Sequence, residues 1–262
     1  MKAYEIMNHL FAKAARTPGE NTVDTLKAGD PNTEVTHVAV SMFATPEVIR
    51  EAHKLGCNLL VVHEPTFYDH FDRHLENDPV TTAKETLLKE TGITLYRYHD
   101  FPHNATPDLI CAGVAKAMDL DADMEFPDFR DLVKITLHTP MTAVELAAHL
   151  ENRLGIRHIK ISGSRDLPAT KLSLMCGTPG GVFDELRSED CEILLTGEAC
   201  EWQLGEYARD ASQMGFNKTL MVLGHIGSER DGMKLVAELL KEELPAIQVS
   251  YIECGEVYSY TN

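Results

Sequence analysis

The chain has 262 residues, 44% hydrophobic and 25% charged, an ordinary globular composition with enough length for one large or two small cores. Against 41 acidic residues stand 24 basic ones, a formal charge of −17 with no basic stripe, which excludes a phosphate-backbone footprint as the default function. No stretch approaches the ~18 apolar residues that a membrane helix needs.

In chain order, residues 3–15 carry Ile6, Met7, Leu10 and Phe11 at a helical period. Thr17 to Thr33 is rich in Gly, Pro, Asn and Asp and reads as loop. Val35–Phe43 reads as a strand, and Thr45-Pro46-Glu47 then starts a helix with a capping Thr, a proline at the first position and an early acid, ending at Gly56. Asn58 to His63 is a continuous apolar strand that gives way to His63-Glu64 and is stopped by Pro65. Thr82 is expected to cap a helix closing at Gly92, followed by a strand over Ile93–Tyr98 that runs into His99-Asp100-Phe101-Pro102-His103.

A helix follows over about Pro107–Met118, then the acidic stretch Asp119–Phe129, after which a new unit is expected to begin. That unit reads as a strand at Leu132–His138, a helix from Thr142 to Leu154 closed by Gly155, and strands at His158–Ser162 and Lys171–Cys176. The glycine-rich Gly177–Gly181 comes next and reads as a tight turn before a helix in preference to a phosphate cradle. Glu192–Thr196 is a strand, Cys200–Met214 a helix, Thr219–Leu223 a strand, 230–242 a helix and 248–253 the last strand. Alternating strands and helices define an α/β protein.

Three strand ends carry chemistry. Val62 leads into His63-Glu64, Tyr98 into His99 through His103, and Leu223 into Gly224-His225 with Glu229 four residues on. Ligands collect beyond the carboxyl ends of strands in open α/β sheets. Imidazole with carboxylate at such a place suits a divalent ion such as Zn, Mn, Fe, Co or Ni. His70 and His74, four apart, read as solvated loop residues, with His70 able to border the cavity. The six cysteines are scattered without a C-x-x-C pair and read as reduced core residues. With an N-terminus, MKAYEIMNHLF, that lacks a signal-peptide core, the expected location is the cytoplasm.

The runs Asn21–Pro65, Leu194–Ala211 (LLTGEACEWQLGEYARDA) and Gly224–Glu229 (GHIGSE) resemble the GTP cyclohydrolase I type 2 homologues, the NIF-three-like dinuclear metal proteins. The resemblance implies two intertwined three-layer α/β lobes with a metal site at strand carboxyl ends. The first lobe is placed at 1–128, completed by 216–262, and the second at 129–215. It implies two divalent ions per chain held by His63, Glu64, His103, His225 and Glu229. Glu64 stands where the family has a second histidine and His103 where it has an aspartate, so the exchange keeps three histidines and two carboxylates. Glu198, in a Thr-Gly-acid motif, would be a base or would orient a ligand, with Glu229 as the other candidate base. Trp202 replaces a histidine usual in the family. The function implied is that of a dinuclear-metal-dependent hydrolase-like protein acting on a nucleotide or phosphoester, assembled as a homohexamer, with GTP ring opening resting on the family name alone. The alternative is a non-catalytic metal-binding regulatory or scaffold ring. No membrane partner is expected, and nucleic acid is disfavoured.

Overall fold

The computed structural model describes residues 1–73, 75–127 and 132–261. Its first half runs α1 (Ala3–Phe11), β1 (Leu26–Ala28), β2 (His37–Ser41), α2 (Pro46–Lys54), β3 (Leu59–Val62), α3 (Pro79–Thr91), β4 (Thr94–Arg97), the one-turn α4 (Asp100–His103), α5 (Leu109–Met118) and β5 (Ala122–Glu125). It continues with β6 (Val133–Met141), α6 (Ala143–Leu154), β7 (Lys160–Gly163), β8 (Ala169–Met175), α7 (Val182–Arg187), β9 (Ile193–Thr196), α8 (Glu206–Gln213), β10 (Thr219–Val222), α9 (Arg230–Glu243) and β11 (Gln248–Tyr251). A widened π turn, Glu201–Gly205, leads into α8.

Two compact units divide the chain, Met1–Leu109 with Met233–Asn262, and Ile110–Gly232. This differs from the expected boundaries at 128 and 216, the first of which lies next to residues outside the described ones. The physical reason is strand pairing. β5 pairs antiparallel with β6, and β10 pairs with β9 and β7, so both belong to the second sheet.

In the first unit the strand order is β1-β4-β3-β2-β11. β2, β3, β4 and β11 run parallel and β1 antiparallel. β2 and β3 are buried at every residue, as central parallel strands covered on both faces must be. Leu60, Val62, Ile49 and Leu95 form the middle of the core. Thr45 caps α2 as expected, its side chain accepting from the Val48 N–H at 3.1 Å. α3 begins earlier than Thr82: Asp78 is the cap, accepting from Thr81 N–H at 2.6 Å with Pro79 behind it, and the Thr82 hydroxyl merely donates to the Asp78 carbonyl.

The second unit has the order β5-β6-β8-β9-β10-β7. Its centre, β8-β9-β10, is parallel, and β5, β6 and β7 run antiparallel to their neighbours. Leu186, Leu194, Leu204 and Leu220 pack beneath it. Among the described residues the six cysteines form no disulfide, and no helix is long and apolar enough to cross a membrane.

One buried cation in the first unit gives a pH-dependent prediction. Lys84 donates from Nζ to the Thr66 carbonyl at 2.6 Å, and burial pushes its ammonium down to about 8, with Asp72 opposing the shift. Above that value and below the ordinary ~10.4 of lysine, the unfolded chain binds more protons than the folded one, so stability rises with pH. Urea unfolding is expected to show the wild type gaining on Lys84→Met between pH 8 and about 10.4. A flat difference across that window would disprove it.

Candidate metal centre

Parallel register builds the first group. Val62 pairs with Arg97, so the residues after β3 and β4 leave the same edge of the sheet side by side. His63 is fully buried, and its Nδ1–H donates to the Tyr98 carbonyl at 3.0 Å. His99 Nδ1 lies 2.9 Å from Asp100 Oδ1, and His103 Nδ1 lies 2.8 Å from Asp108 Oδ2. The His63 and His99 rings stack with centroids 4.6 Å apart, while His103 meets them edge-on at 5.1 and 5.3 Å. One nitrogen from each of the three rings lies within 4.8 Å of the others. Glu64 Oε1 is 3.9 Å from His63 Nε2 and 4.0 Å from His99 Nε2.

Two buried charged residues hold this group in place. Asp24 accepts the backbone N–H groups of His99, Asp100 and Phe101 at 2.7, 2.9 and 2.8 Å, fixing the turn that carries His99 and His103. Burial raises the Asp24 carboxyl, and those three N–H groups oppose the rise. Arg97, wholly buried, donates from Nε to the His63 carbonyl at 2.9 Å and from Nη1 to the His70 carbonyl at 2.5 Å. Its Nη2 stands 3.7 Å from Glu64 Oε2, which leaves Oε1 as the oxygen nearest the imidazoles. Burial, then the neighbouring His99, hold His63 well below the usual imidazole range, so its ring is neutral.

The second unit repeats the device with its own parallel strands. Met175 and Val222 both pair with Thr196, bringing Gly177, Glu198 and His225 to one edge. His225 Nδ1 donates to Glu198 Oε1 at 2.7 Å, and its Nε2 is 3.1 Å from Glu229 Oε2. Glu229 is buried, and a Cβ on Gly177 would run into its carboxylate. Gly177, with φ +61°, is therefore fixed both by conformation and by that close approach. Gly181, also at positive φ, caps the short α7, so Gly177–Gly181 is the turn before a helix that the sequence suggests. A cavity of about 560 Å³ beside Glu198 is lined by Thr178, Phe183, Asp184, Cys200 and Gln203. Trp202 is exposed on the π turn.

Of the expected residues, His63, Glu64 and His103 gather in the first unit, and Glu198, His225 and Glu229 gather in the second. His70 lies edge-on to His99 with ring centroids 5.8 Å apart, and His74 falls outside the described residues. His99 was visible in the run after β4 but not singled out. Asp24, Arg97, Asp100 and Asp108 were not anticipated at all.

The donor set fits a divalent ion. Carboxylates and a carbonyl hold the Nδ1 atoms of the first group, the arrangement that orients metal-binding histidines. The molecule is thus an α/β protein whose units each gather imidazoles and carboxylates able to take a metal at the carboxyl ends of parallel strands.

Comparison with known proteins places it further. The family model for Duf34/NIF3 (NGG1p interacting factor 3) matches residues 1–256, and the chain belongs to that family. A GTP cyclohydrolase 1 type 2 homolog of Chlamydia pneumoniae is 25% identical, covering 98% of this chain and 100% of that protein. NGG1-interacting factor 3 of Saccharomyces cerevisiae is 24% identical over 84% of this chain and 80% of its own. In fold, the chain matches the Staphylococcus aureus hypothetical protein SA1388 at TM-score 0.76 and 18% identity, covering 99% of each chain. It also matches the Bacillus cereus protein related to NIF3 at TM-score 0.75 and 14% identity, covering 100% of this chain and 99% of that one.

Proposed function

We propose that the chain is a metal-dependent hydrolase-like protein that takes up to two divalent ions, drawn from Zn, Mn, Fe, Co and Ni. His63, Glu64 and His103 would supply donors in the first unit, and His225 and Glu229 in the second. The observation that carries this reading is His225, clamped at 2.7 and 3.1 Å between two carboxylates beside a cavity of small-molecule size. A dication there would acidify water and polarise a carbonyl or phosphoryl oxygen. Glu198, half exposed at the cavity while Glu229 is buried, is the better placed to take a proton, and Glu229 orients the imidazole from the other side. The substrate class proposed is a nucleotide or phosphoester. Metal analysis should find bound ions, and metal-loaded protein should turn over a nucleotide and phosphoester panel in a manner lost in His225→Ala. Bound metal with no turnover on any substrate would leave only the second reading.

That second reading is a non-catalytic metal-binding regulatory or scaffold protein. It is favoured by the 3.7 Å approach of Arg97 to Glu64, which draws carboxylate charge away from a cation. On either reading we propose a homo-oligomeric ring, a hexamer by family likeness, supported by the exposed Trp202, Met214 and Phe216. Light scattering at micromolar concentration with metal present tests it, a monomer mass being the contrary result.

A further inference from the structure

We propose that His99 is a direct metal ligand, and that with His63 and His103 it forms a three-imidazole site for a single borderline divalent ion inside the first unit, with Glu64 as fourth donor. The inference deepens the metal-dependent reading and rests on it.

Tautomers are decided by the outward partners. Nδ1 of His63 faces a carbonyl, and Nδ1 of His99 and of His103 each face a carboxylate, at 3.0, 2.9 and 2.8 Å. Only acceptors stand there, so the protons sit on Nδ1 and the lone pairs on Nε2. Nε2 of His63 and Nε2 of His103 then face each other at 3.3 Å. Two lone pairs at that separation repel unless a cation or an added proton lies between them. The distance also matches the edge, about 3.3–3.4 Å, of a tetrahedron with metal–nitrogen bonds of roughly 2.0–2.1 Å.

His99 completes the set from the stacked side. Its ring lies on His63, and its Nε2 is 4.0 Å from the Glu64 oxygen that is also nearest His63 Nε2. Asp100 and Asp108, behind two of the rings, make those imidazoles stronger donors. The charge count points to one ion. The three rings are neutral, and the single carboxylate among the donors is shared with Arg97, so a second dication in this group would go unbalanced. Three nitrogens and one oxygen favour Zn, Co or Ni over Mg or Ca.

The experiment is titration of chelator-stripped, full-length protein with Co(II). His225→Ala and Glu229→Gln are present throughout to silence the second unit's group. Equilibrium dialysis gives stoichiometry, and visible absorption distinguishes four- or five-coordinate from octahedral cobalt. One Co(II) per chain with intense four- or five-coordinate bands is expected. His99→Phe keeps a ring against His63 and should lose affinity by more than about 100-fold, beyond the roughly 10–100-fold typical of residues that only orient a ligand. Added imidazole should restore the bands in His99→Ala, and His70→Ala should leave them unchanged. A folded His99→Phe with the parent's affinity and bands overturns the inference while leaving the metal reading intact. No cobalt uptake by the unsubstituted chain overturns the reading beneath it. If circular dichroism shows His99→Phe unfolded, His99→Gln is judged by the same two measurements.

Discussion

Gly113→Ala is expected to destabilise the second unit by about 1–3 kcal/mol, the usual range for overpacking, in urea unfolding followed by circular dichroism. On an open helix face the same change would stabilise by up to ~1 kcal/mol, because glycine is the poorer helix former. Gly113 in α5 has no open face. A Cβ there would lie 2.5 Å from Gly232 Cα and 2.6 Å from the Asp231 carbonyl, both backbone atoms of α9 that cannot rotate away. Gly232 faces the reciprocal constraint, since its Cβ would meet the Ile110 backbone. The contrast within the same unit is Gly205, which has helical backbone angles and nothing within 4 Å of an added Cβ. Gly205→Ala should therefore raise stability by about 0.5–1 kcal/mol. Equal effects at Gly113 and Gly205 would show that propensity, and not the crowding of two backbones, governs these positions.

Much of this architecture can be read without coordinates, and the parts that cannot share a cause. β3 and β9 announce themselves as unbroken apolar runs because both faces are covered. Thr45-Pro46 and Thr142 mark helix starts because the cap and its partner are three residues apart. β1 and β5 escape notice for the opposite reason. β1 is three residues, none of them fully buried, and β5 alternates half-buried and exposed residues at the edge of its sheet.

The same division of local from distant holds at the metal groups. His63, Glu64, His103, His225, Glu229 and Glu198 are legible because strand ends in an α/β sheet converge by topology. Asp24 lies in a polar loop and reveals its role only through three backbone N–H groups some 75 residues further on. His99 and Asp108 gain their meaning from the direction of a ring nitrogen, which sequence spacing does not encode. Arg97 lies within an apolar strand, where one charged residue gives no hint of which carboxylate it faces.

Arg97→Met is expected to be the most damaging single change in the first unit, costing about 3–5 kcal/mol, the range for breaking a buried ion pair from one side. The guanidinium is fully buried and serves four oxygens at once. It donates to the His63 and His70 carbonyls, and approaches Glu64 Oε2 at 3.7 Å and Asp72 Oδ2 at 3.8 Å. Asp72 keeps a second cation, Lys27 Nζ at 2.9 Å, whereas the approach of Arg97 is the balancing contact for Glu64 with a permanent cation. The uncompensated charge after substitution is therefore Glu64. Arg97→Met combined with Glu64→Gln should recover part of the loss, a coupling that independent sites would not show. Arg97→Lys keeps the charge but lacks the planar fork that reaches two carbonyls and two carboxylates together, so it should remain clearly destabilised. Unfolding measured in chelator, with no metal to stand in for the guanidinium, separates these outcomes. If Arg97→Met costs under about 1 kcal/mol, in the range of an exposed pair, Arg97 does not hold Glu64 in place and the carboxylate is ordered by other contacts.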